Sequence, residues 1–184
     1  TPISMDHMNF LGSTNNKIAK KKLGILKNSK RTIVSKQNLV VRKLVRLEAK
    51  KKKVELFEEG IDWKIKKKDF EKKTFSFCFG KSNYQFKFPK LEGEHQVENA
   101  STAIATILSL SKNNISKSNI EHGILRATWP ARMQKLNNGK LSSFLGDQFE
   151  IWLDGGHNLG ASSILKKIIE KWSDDNVFLI IGMM

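Results

Sequence analysis

An α/β fold is the class that the sequence predicts, and two observations favour it. The first is the stretch of residues 150–172, which predicts a short buried strand over residues 150–153, a turn and an amphipathic helix. A second strand is predicted over residues 177–181, so that the helix would connect a parallel βαβ pair. The second observation is that short strand candidates and amphipathic helices also follow one another along the preceding chain.

Hydrophobic periodicity predicts each of these other elements. One apolar stripe per segment predicts helices over residues 16–26, 39–46 and 97–110, and a short helix capped by Ser116. Strands are predicted over residues 32–35, 53–57 and 63–65. Alternating apolar and polar residues predict a hairpin over residues 74–79 and 84–88. Residues 136–144 predict a second hairpin or a loose linker.

Composition restricts the class of protein. The 184 residues contain one cysteine and no apolar run long enough to span a membrane, and no secretory signal pattern is visible. We therefore expect a cytoplasmic protein without membrane contact. The net charge of +15 favours a lysine-rich solvated surface, because the lysines lack the aromatic interleaving of a nucleic-acid module. A basic nucleic-acid-binding module and an anionic small substrate are the alternatives.

Lys22 is the first candidate for chemistry. At 3.6 residues per turn it projects from the middle of the apolar arc of the helix over residues 16–26. Either the side chain extends to the surface, or a buried amine is used chemically. Together with His7, a hidden lysine could bind a divalent metal if carbon dioxide converted its amine into a carbamate, since Mg²⁺ prefers oxygen ligands.

Three further groups carry polar side chains at positions suited to a nucleotide. Gln96 and Asn99 lie three residues apart at a helix start, where their amides can donate and accept or simply cap the helix. Arg132 follows Trp129-Pro130, and a guanidinium there suits a phosphate, although a surface arginine is the plainer interpretation. Polar residues also follow the strand over residues 150–153, namely Asp154, His157 and Asn158, with Asn158 as the expected helix N-cap.

Five segments follow one another along the chain, namely DHMNFLG, IAKKKLGILK, LEGEHQVENASTAIATIL, WPARMQ and IWLDGGHN. Their order resembles the folylpolyglutamate synthase and dihydrofolate synthase branch of the Mur ligase family. HQVENA and LDGGHN are the most specific, and WPAR favours the folate branch over the muramyl peptide ligases. The chain departs from the family pattern at Lys20-Lys21 in place of Gly-Glu, at Ala131 in place of Gly, and at Leu159 in place of Pro.

The resemblance implies the domains and the reaction. Residues 1–134 would be the latter part of a Mur ligase central ATPase domain, and residues 135–184 the beginning of a Rossmann-like C-terminal domain. The activity implied is an ATP-dependent ligase of folate biosynthesis that adds L-glutamate to dihydropteroate or folyl-(poly)glutamate through an acyl phosphate. Its implied partners are these small molecules, with neither nucleic acid nor membrane, and the full-length protein would be a monomer.

The resemblance also implies the role of each candidate residue. Lys22 and His157 would be catalytic, and His7 would bind Mg²⁺ together with a carbamylated Lys22. ATP would be bound by the remaining residues, which are Gln96, Asn99, Arg132, Asp154 and Asn158.

One feature that the family needs is missing from the sequence. The Gly-rich phosphate loop that ends in Gly-Lys-Ser/Thr does not occur in the 184 residues. We therefore expect the chain to be a fragment of a longer protein and to be inactive by itself. A muramyl peptide ligase of cell-wall synthesis is the alternative within the family.

Overall fold

Helices and strands follow each other in the computed structural model, which describes residues 2–3, 8–26, 30–110, 115–172 and 176–182. Two compact units are formed, one by Thr1–Phe88 with Val97–Leu125 and the other by Pro89–Gln96 with Arg126–Met184. The α/β fold class predicted from the sequence is confirmed.

The first unit begins with two helices, α1 (Met8–Leu11) and α2 (Asn15–Lys22). Thr14 caps α2, because its hydroxyl oxygen accepts from the backbone N–H of Lys17 at 3.2 Å. A single 3₁₀ turn, Leu23–Leu26, follows α2 directly. The predicted helix over residues 16–26 therefore consists of two different helical geometries.

A parallel βαβ unit comes next. Strand β1 (Arg31–Val34) pairs in parallel with β2 (Glu55–Glu58), and helix α3 (Leu39–Lys51) connects them. Asn38 is the N-cap of α3, and its side-chain oxygen accepts from the N–H of Val41 at 2.9 Å. The buried face of α3 and the 3₁₀ turn share one apolar cluster with β1.

A three-stranded antiparallel sheet completes the first unit together with two helices. The strands are β3 (Trp63–Asp69), β4 (Thr74–Phe79) and β5 (Ser82–Lys87), so the predicted hairpin is confirmed. Its inward-facing side chains pack against helices α4 (Glu94–Ser109) and α5 (Lys117–Arg126). This core consists of fully or nearly fully buried side chains, among them Trp63, Phe75, Phe77, Phe86, Ile104 and Ile120.

Among its described residues, the second unit includes a short antiparallel strand pair and two α-helices, the second of which continues into a 3₁₀ turn (Glu170–Trp172). Strand β6 (Gln134–Lys135) pairs with β7 (Trp152–Leu153), and helix α6 (Lys140–Leu145) lies between them in the chain. Helix α7 (Leu159–Ile169) follows β7. In the part of the chain that the structure describes, no helix is long and apolar enough to cross a membrane.

The predicted βαβ pair of the second unit is wrong. Residues 150–153 supply only the two-residue strand β7, whose partner β6 is antiparallel, and Leu153 is 46% exposed. Residues 176–182 form no strand, and the apolar side chains of residues 177–181 are 41–96% exposed. An apolar run predicts burial, but a strand also needs a partner for its backbone groups, and the described residues provide none for residues 177–181.

Of the two alternatives for Lys22, the buried amine is wrong and extension to the surface is found, since its side chain is exposed. The α-helical rotation of 3.6 residues per turn ends at Lys22, and the next turn has the tighter 3₁₀ geometry. Extending one regular helix through this change misplaces the apolar arc. Ile18, Ala19 and Leu23 are buried as predicted, whereas Ile25 is 79% exposed.

Candidate functional site

Arg132 lies in a loop whose backbone is unusually constrained. We call residues 129–133 the Arg132 loop. The residues on either side of the arginine, Ala131 and Met133, have positive φ angles of 54° and 43°. These left-handed conformations are unfavourable for residues with a Cβ atom and persist only where the surroundings hold them. Met133 is 6% exposed, whereas the side chain of Arg132 is exposed.

The turn after β7 provides the contacts that hold this loop. We call residues 154–156 the Asp154 turn. The N–H of Gly155 donates to the carbonyl oxygen of Ala131 at 2.8 Å, and the N–H of Met133 donates to Oδ2 of Asp154 at 2.9 Å. The two bonds lie on either side of Arg132 and hold the Arg132 loop against the Asp154 turn.

Asp154 also shapes its own turn. Its Oδ1 accepts from the N–H of Gly156 at 2.7 Å, so each carboxylate oxygen receives one backbone hydrogen bond. Gly156 has little room for a side chain, because a Cβ there would lie 2.8 Å from Oδ1 of Asp154 and 2.9 Å from Cβ of Ala161. The close approach of the turn to helix α7 therefore requires glycine at this position.

His157 and Asn158 connect the turn to helix α7. Asn158 is the N-cap, as predicted, and its Oδ1 accepts from the N–H of Ala161 at 2.9 Å. The imidazole of His157 is exposed, and its Nδ1 lies 3.0 Å from the carbonyl oxygen of Gly155. The Asn158 side chain is thus used in capping, while the His157 ring faces solvent on the same turn.

A cavity of about 620 Å³ adjoins Arg132 within the second unit. The size falls in the range of small-molecule sites. Its wall combines cationic and aromatic side chains, including Lys90, Trp129, Arg132, Lys135 and Trp152. Such a wall suits an anion with a flat apolar part.

Glu150 orients two members of that wall. Its carboxylate accepts from the Nζ of Lys135 and, at 3.1 Å, from the indole N–H of Trp152. These hydrogen bonds, with a smaller opposing effect of burial, hold the pKa of the Glu150 carboxyl below its ordinary value. The Nζ of Lys135 also lies 5.9 Å from the centroid of the Trp152 ring. The positive charge of Lys135 is therefore partly balanced by the Glu150 carboxylate. Arg132 is the stronger candidate for binding an anion.

Gln96 and Asn99 lie one turn apart near the start of α4, as predicted. Gln96 is 6% exposed, and its Nε2 lies 2.9 Å from Nε2 of His95. Asn99 is exposed. The two amides therefore differ in their access to solvent, which the sequence pattern did not predict.

The metal site stays a prediction. His7 lies outside the described residues, and Lys22 is exposed at the end of α2. Among the residues that are described, no group of three or more His, Cys, Asp or Glu side chains could hold a metal ion. Lys22 alone does not form a ligand set, so a Mg²⁺ site there would also need His7.

A Gly-Lys-Ser tripeptide does occur, at Gly80-Lys81-Ser82, but in the wrong context for a phosphate loop. It turns the antiparallel hairpin between β4 and β5, where a phosphate loop would connect a strand to a helix. Phe75 stands where the first glycine of the motif is needed. The tripeptide is therefore a hairpin turn.

A second cavity, of about 430 Å³, lies at the carboxyl ends of the parallel strands β1 and β2. Its wall includes Glu58, which is 8% exposed and accepts from Nε of Arg42 at 2.8 Å and from Nε of Arg46 at 2.7 Å. Burial raises the pKa of the Glu58 carboxyl, but the two arginines lower it by more, so the net shift is downward. This cluster connects α3 to β2 and has a structural role.

Sequence comparisons identify similar proteins. Residues 1–107 match the Mur ligase middle domain. A dihydrofolate synthase/folylpolyglutamate synthase of Buchnera aphidicola subsp. Baizongia pistaciae (strain Bp) is 29% identical, over 100% of this chain and 39% of the relative. The protein of the same name from Bacillus subtilis (strain 168) is 24% identical, over 100% of this chain and 42% of the relative. The chain thus spans about two fifths of the length of these relatives.

Solved structures share the fold. A mutant of L. casei FPGS matches with a TM-score of 0.80 at 20% identity, over 100% of this chain and 44% of that chain. E.coli FolC in complex with DHPP and ADP matches with a TM-score of 0.72 at 24% identity, over 93% of this chain and 37% of that chain. At these identities, the likeness establishes a common fold.

Proposed function

The chain belongs to the Mur ligase family, and from this membership we propose that the protein is an ATP-dependent ligase that adds L-glutamate to dihydropteroate, to folyl-(poly)glutamate, or to both. The names of its relatives, a dihydrofolate synthase/folylpolyglutamate synthase among them, support the folate branch. The contact between the Arg132 loop and the Asp154 turn is the structural observation that carries the proposal. It puts a guanidinium and a carboxylate, the groups suited to phosphate and ribose, into one part of the second unit.

The proposed reaction has two steps. A carboxylate oxygen of the pteroate or folyl acceptor attacks the γ-phosphorus of ATP, and ADP leaves, which gives an acyl phosphate. The amine of L-glutamate then attacks the acyl carbon, loses a proton and expels inorganic phosphate, which forms the amide. Such chemistry asks the protein mainly to align the reactants and to stabilise developing negative charge.

Each candidate residue has a proposed part in holding these reactants. Arg132 binds the phosphates of ATP and Asp154 binds its ribose, while Gln96, Asn99 and Asn158 contact the rest of the nucleotide. His157, which is exposed at the start of α7, is a catalytic residue on the glutamate side. Lys22 is the second catalytic residue.

The proposal includes Mg²⁺, held by His7 and by Lys22 after its carbamylation, as the resemblance implies. The ion, when bound, neutralises charge on the phosphates. The exposed Lys22 amine is accessible to carbon dioxide. A dependence of activity on bicarbonate that disappears in Lys22→Arg would support the carbamate, and an activity unaffected by bicarbonate would contradict it.

The partners in this proposal are ATP, L-glutamate and the folate acceptor. The full-length protein is proposed to be a cytoplasmic monomer that binds neither membrane nor nucleic acid. The net charge of +15 is assigned to a lysine-rich surface. Salt-dependent binding to DNA or RNA that ATP does not affect would contradict this assignment.

An acceptor assay tests the proposed function. The full-length protein is given ATP, isotopically labelled L-glutamate and one of three acceptors: dihydropteroate, a folyl-glutamate or a UDP-linked muramyl peptide. Label incorporated into a folate acceptor supports the proposal. Incorporation into the muramyl acceptor alone would assign the protein to the cell-wall branch, and none with any acceptor would refute a glutamate ligase.

A pair of arginine variants connects the assay to the proposed site. Arg132→Ala should raise the KM for ATP about tenfold or more, because a charge-assisted contact to phosphate is lost. Arg126→Ala is the matched control, since Arg126 is an exposed arginine at the end of α5 in the same unit. Equal KM values for the two variants would remove Arg132 from the nucleotide site.

A further inference from the structure

We infer that Asp154 is a positioning residue for Arg132, acting through the backbone of the Arg132 loop. The inference rests on the proposed function, because it assumes that Arg132 binds phosphate. It adds that Asp154 keeps the arginine in place whether or not its carboxylate touches the ribose.

The hydrogen bonds of Asp154 support this role. Oδ2 receives the N–H of Met133 at 2.9 Å, and Oδ1 receives the N–H of Gly156 at 2.7 Å. The same carboxylate thereby connects the residue after Arg132 to the turn at the start of α7. Hydrogen bonds to a charged acceptor are about twice as strong as those between neutral groups.

The backbone angles show that the loop needs such support. Ala131 and Met133, the residues on either side of Arg132, both lie in the left-handed region. A released loop would leave that region, because residues with a Cβ atom avoid it. Rotation at either residue would redirect the backbone at Arg132 and move its guanidinium.

Other contacts assist Asp154 in holding the loop. The carbonyl oxygen of Ala131 accepts from the N–H of Gly155 at 2.8 Å. The N–H of Ala131 donates to Oε1 of Gln134 at 3.0 Å. The side chain of Met133 is buried. Arg132 itself is exposed and lines the 620 Å³ cavity, so the loop is held on both sides of its one cationic residue.

Inorganic triphosphate separates this role from ribose binding, because it carries the phosphates without the sugar. The affinities of the full-length protein for ATP and for inorganic triphosphate are measured by calorimetry in the wild type and in Asp154→Ala. If Asp154 positions Arg132, Asp154→Ala should lower the affinity for both ligands by the same factor, about tenfold, as expected for the loss of one charge-assisted hydrogen bond. In an Arg132→Ala background, the Asp154→Ala substitution should have little further effect, because the two residues act in series.

Asp147→Ala is the matched control for the lost charge, since Asp147 is an exposed aspartate of the same unit. Should Asp154→Ala fail to fold, Asp154→Asn provides the same test, because its amide oxygen can keep one of the two bonds. That variant should show an intermediate loss of affinity for both ligands, together with faster amide hydrogen exchange at Met133.

The other outcomes overturn the inference in distinguishable ways. If Asp154→Ala lowers the affinity for ATP and leaves the affinity for triphosphate unchanged, Asp154 acts on the ribose alone. Faster exchange at Met133 without any change in triphosphate binding means that the loop need not be held. A wild type that binds neither ligand, or an Arg132→Ala variant that binds both normally, overturns the proposed function and the inference with it.

Discussion

A Cβ atom placed on Gly156 would lie 2.9 Å from the Cβ of Ala161 in helix α7. The same atom would lie 2.8 Å from Oδ1 of Asp154, a contact that real Cβ atoms do not make. The Asp154 turn therefore packs on α7 at a distance that only glycine permits.

Gly156→Ala should lower the free energy of unfolding by about 1–3 kcal/mol, because the turn or the helix must move to admit a methyl group. Gly123→Ala is the control, since a Cβ at that position in α5 meets nothing within 4 Å. This control should stabilise the protein by up to about 1 kcal/mol through its better helix propensity. Urea denaturation of both variants measures the difference, and an equal response of the two variants would contradict the packing described.

Ala131→Gly should stabilise the protein slightly. The left-handed conformation of Ala131 costs about 1–2 kcal/mol, and glycine removes that cost while adding about 0.5–1 kcal/mol of chain entropy. The expected net gain is about 0.5 kcal/mol. Ala127→Gly, at an exposed position without a positive φ angle, should instead be neutral or destabilising. Destabilisation by Ala131→Gly, measured by thermal unfolding, would mean that residue 131 is not left-handed.

Glu58→Gln should lower the free energy of unfolding by about 1–3 kcal/mol at neutral pH, because both arginines lose a charged partner. The pKa of Glu58 is lowered on folding from the ordinary value of 4.5. A carboxyl with a lowered folded pKa contributes stability above its unfolded pKa and loses that contribution as the pH falls through the folded pKa.

The stability difference between wild type and Glu58→Gln should therefore be constant at neutral pH and shrink below pH 4.5. Denaturation curves over an acid pH series measure it. Glu55→Gln is the control, because the Arg31–Glu55 pair is 39% and 56% exposed and should contribute about 0–1 kcal/mol. A difference that grows as the pH falls would reverse the sign of the assigned shift.

The 184-residue chain by itself should not turn over ATP. Its sequence has no complete Gly-rich phosphate loop, and Gly80-Lys81-Ser82 turns a hairpin instead. Phosphate release from ATP by this polypeptide should stay at the background of a buffer blank. Turnover at the rate of the full-length protein would show that the β- and γ-phosphates are held by residues of this chain.

Local signals in the sequence predicted the elements that depend on neighbouring residues. The apolar stripe of α4, the alternation in β4 and β5 and the cap at Asn158 are examples, and the structure confirms them. Each of these signals lies within a few residues of the structure it predicts, so no knowledge of distant contacts was needed.

Features that depend on distant partners were not predicted. The pairing of β7 with β6 joins two segments that are separated in the chain by helix α6. The two apolar residues Trp152 and Leu153 do not by themselves specify which strand they pair with. The exposure of Lys22 depends instead on a local change, from α-helical to 3₁₀ geometry directly after that residue, which the apolar pattern did not indicate. The positive φ of Ala131 had a signal, since glycine is usual there in the resembling family, but its meaning needed the bond to Gly155.

Transfer of oxygen from the acceptor to phosphate tests the central claim most directly. The carboxylate of the folate acceptor is labelled with a heavy oxygen isotope and incubated with the full-length protein, ATP and L-glutamate. A ligase that works through an acyl phosphate must release ADP and inorganic phosphate carrying one labelled oxygen. Unlabelled phosphate, or release of AMP and pyrophosphate, would contradict the ligase mechanism proposed for this chain.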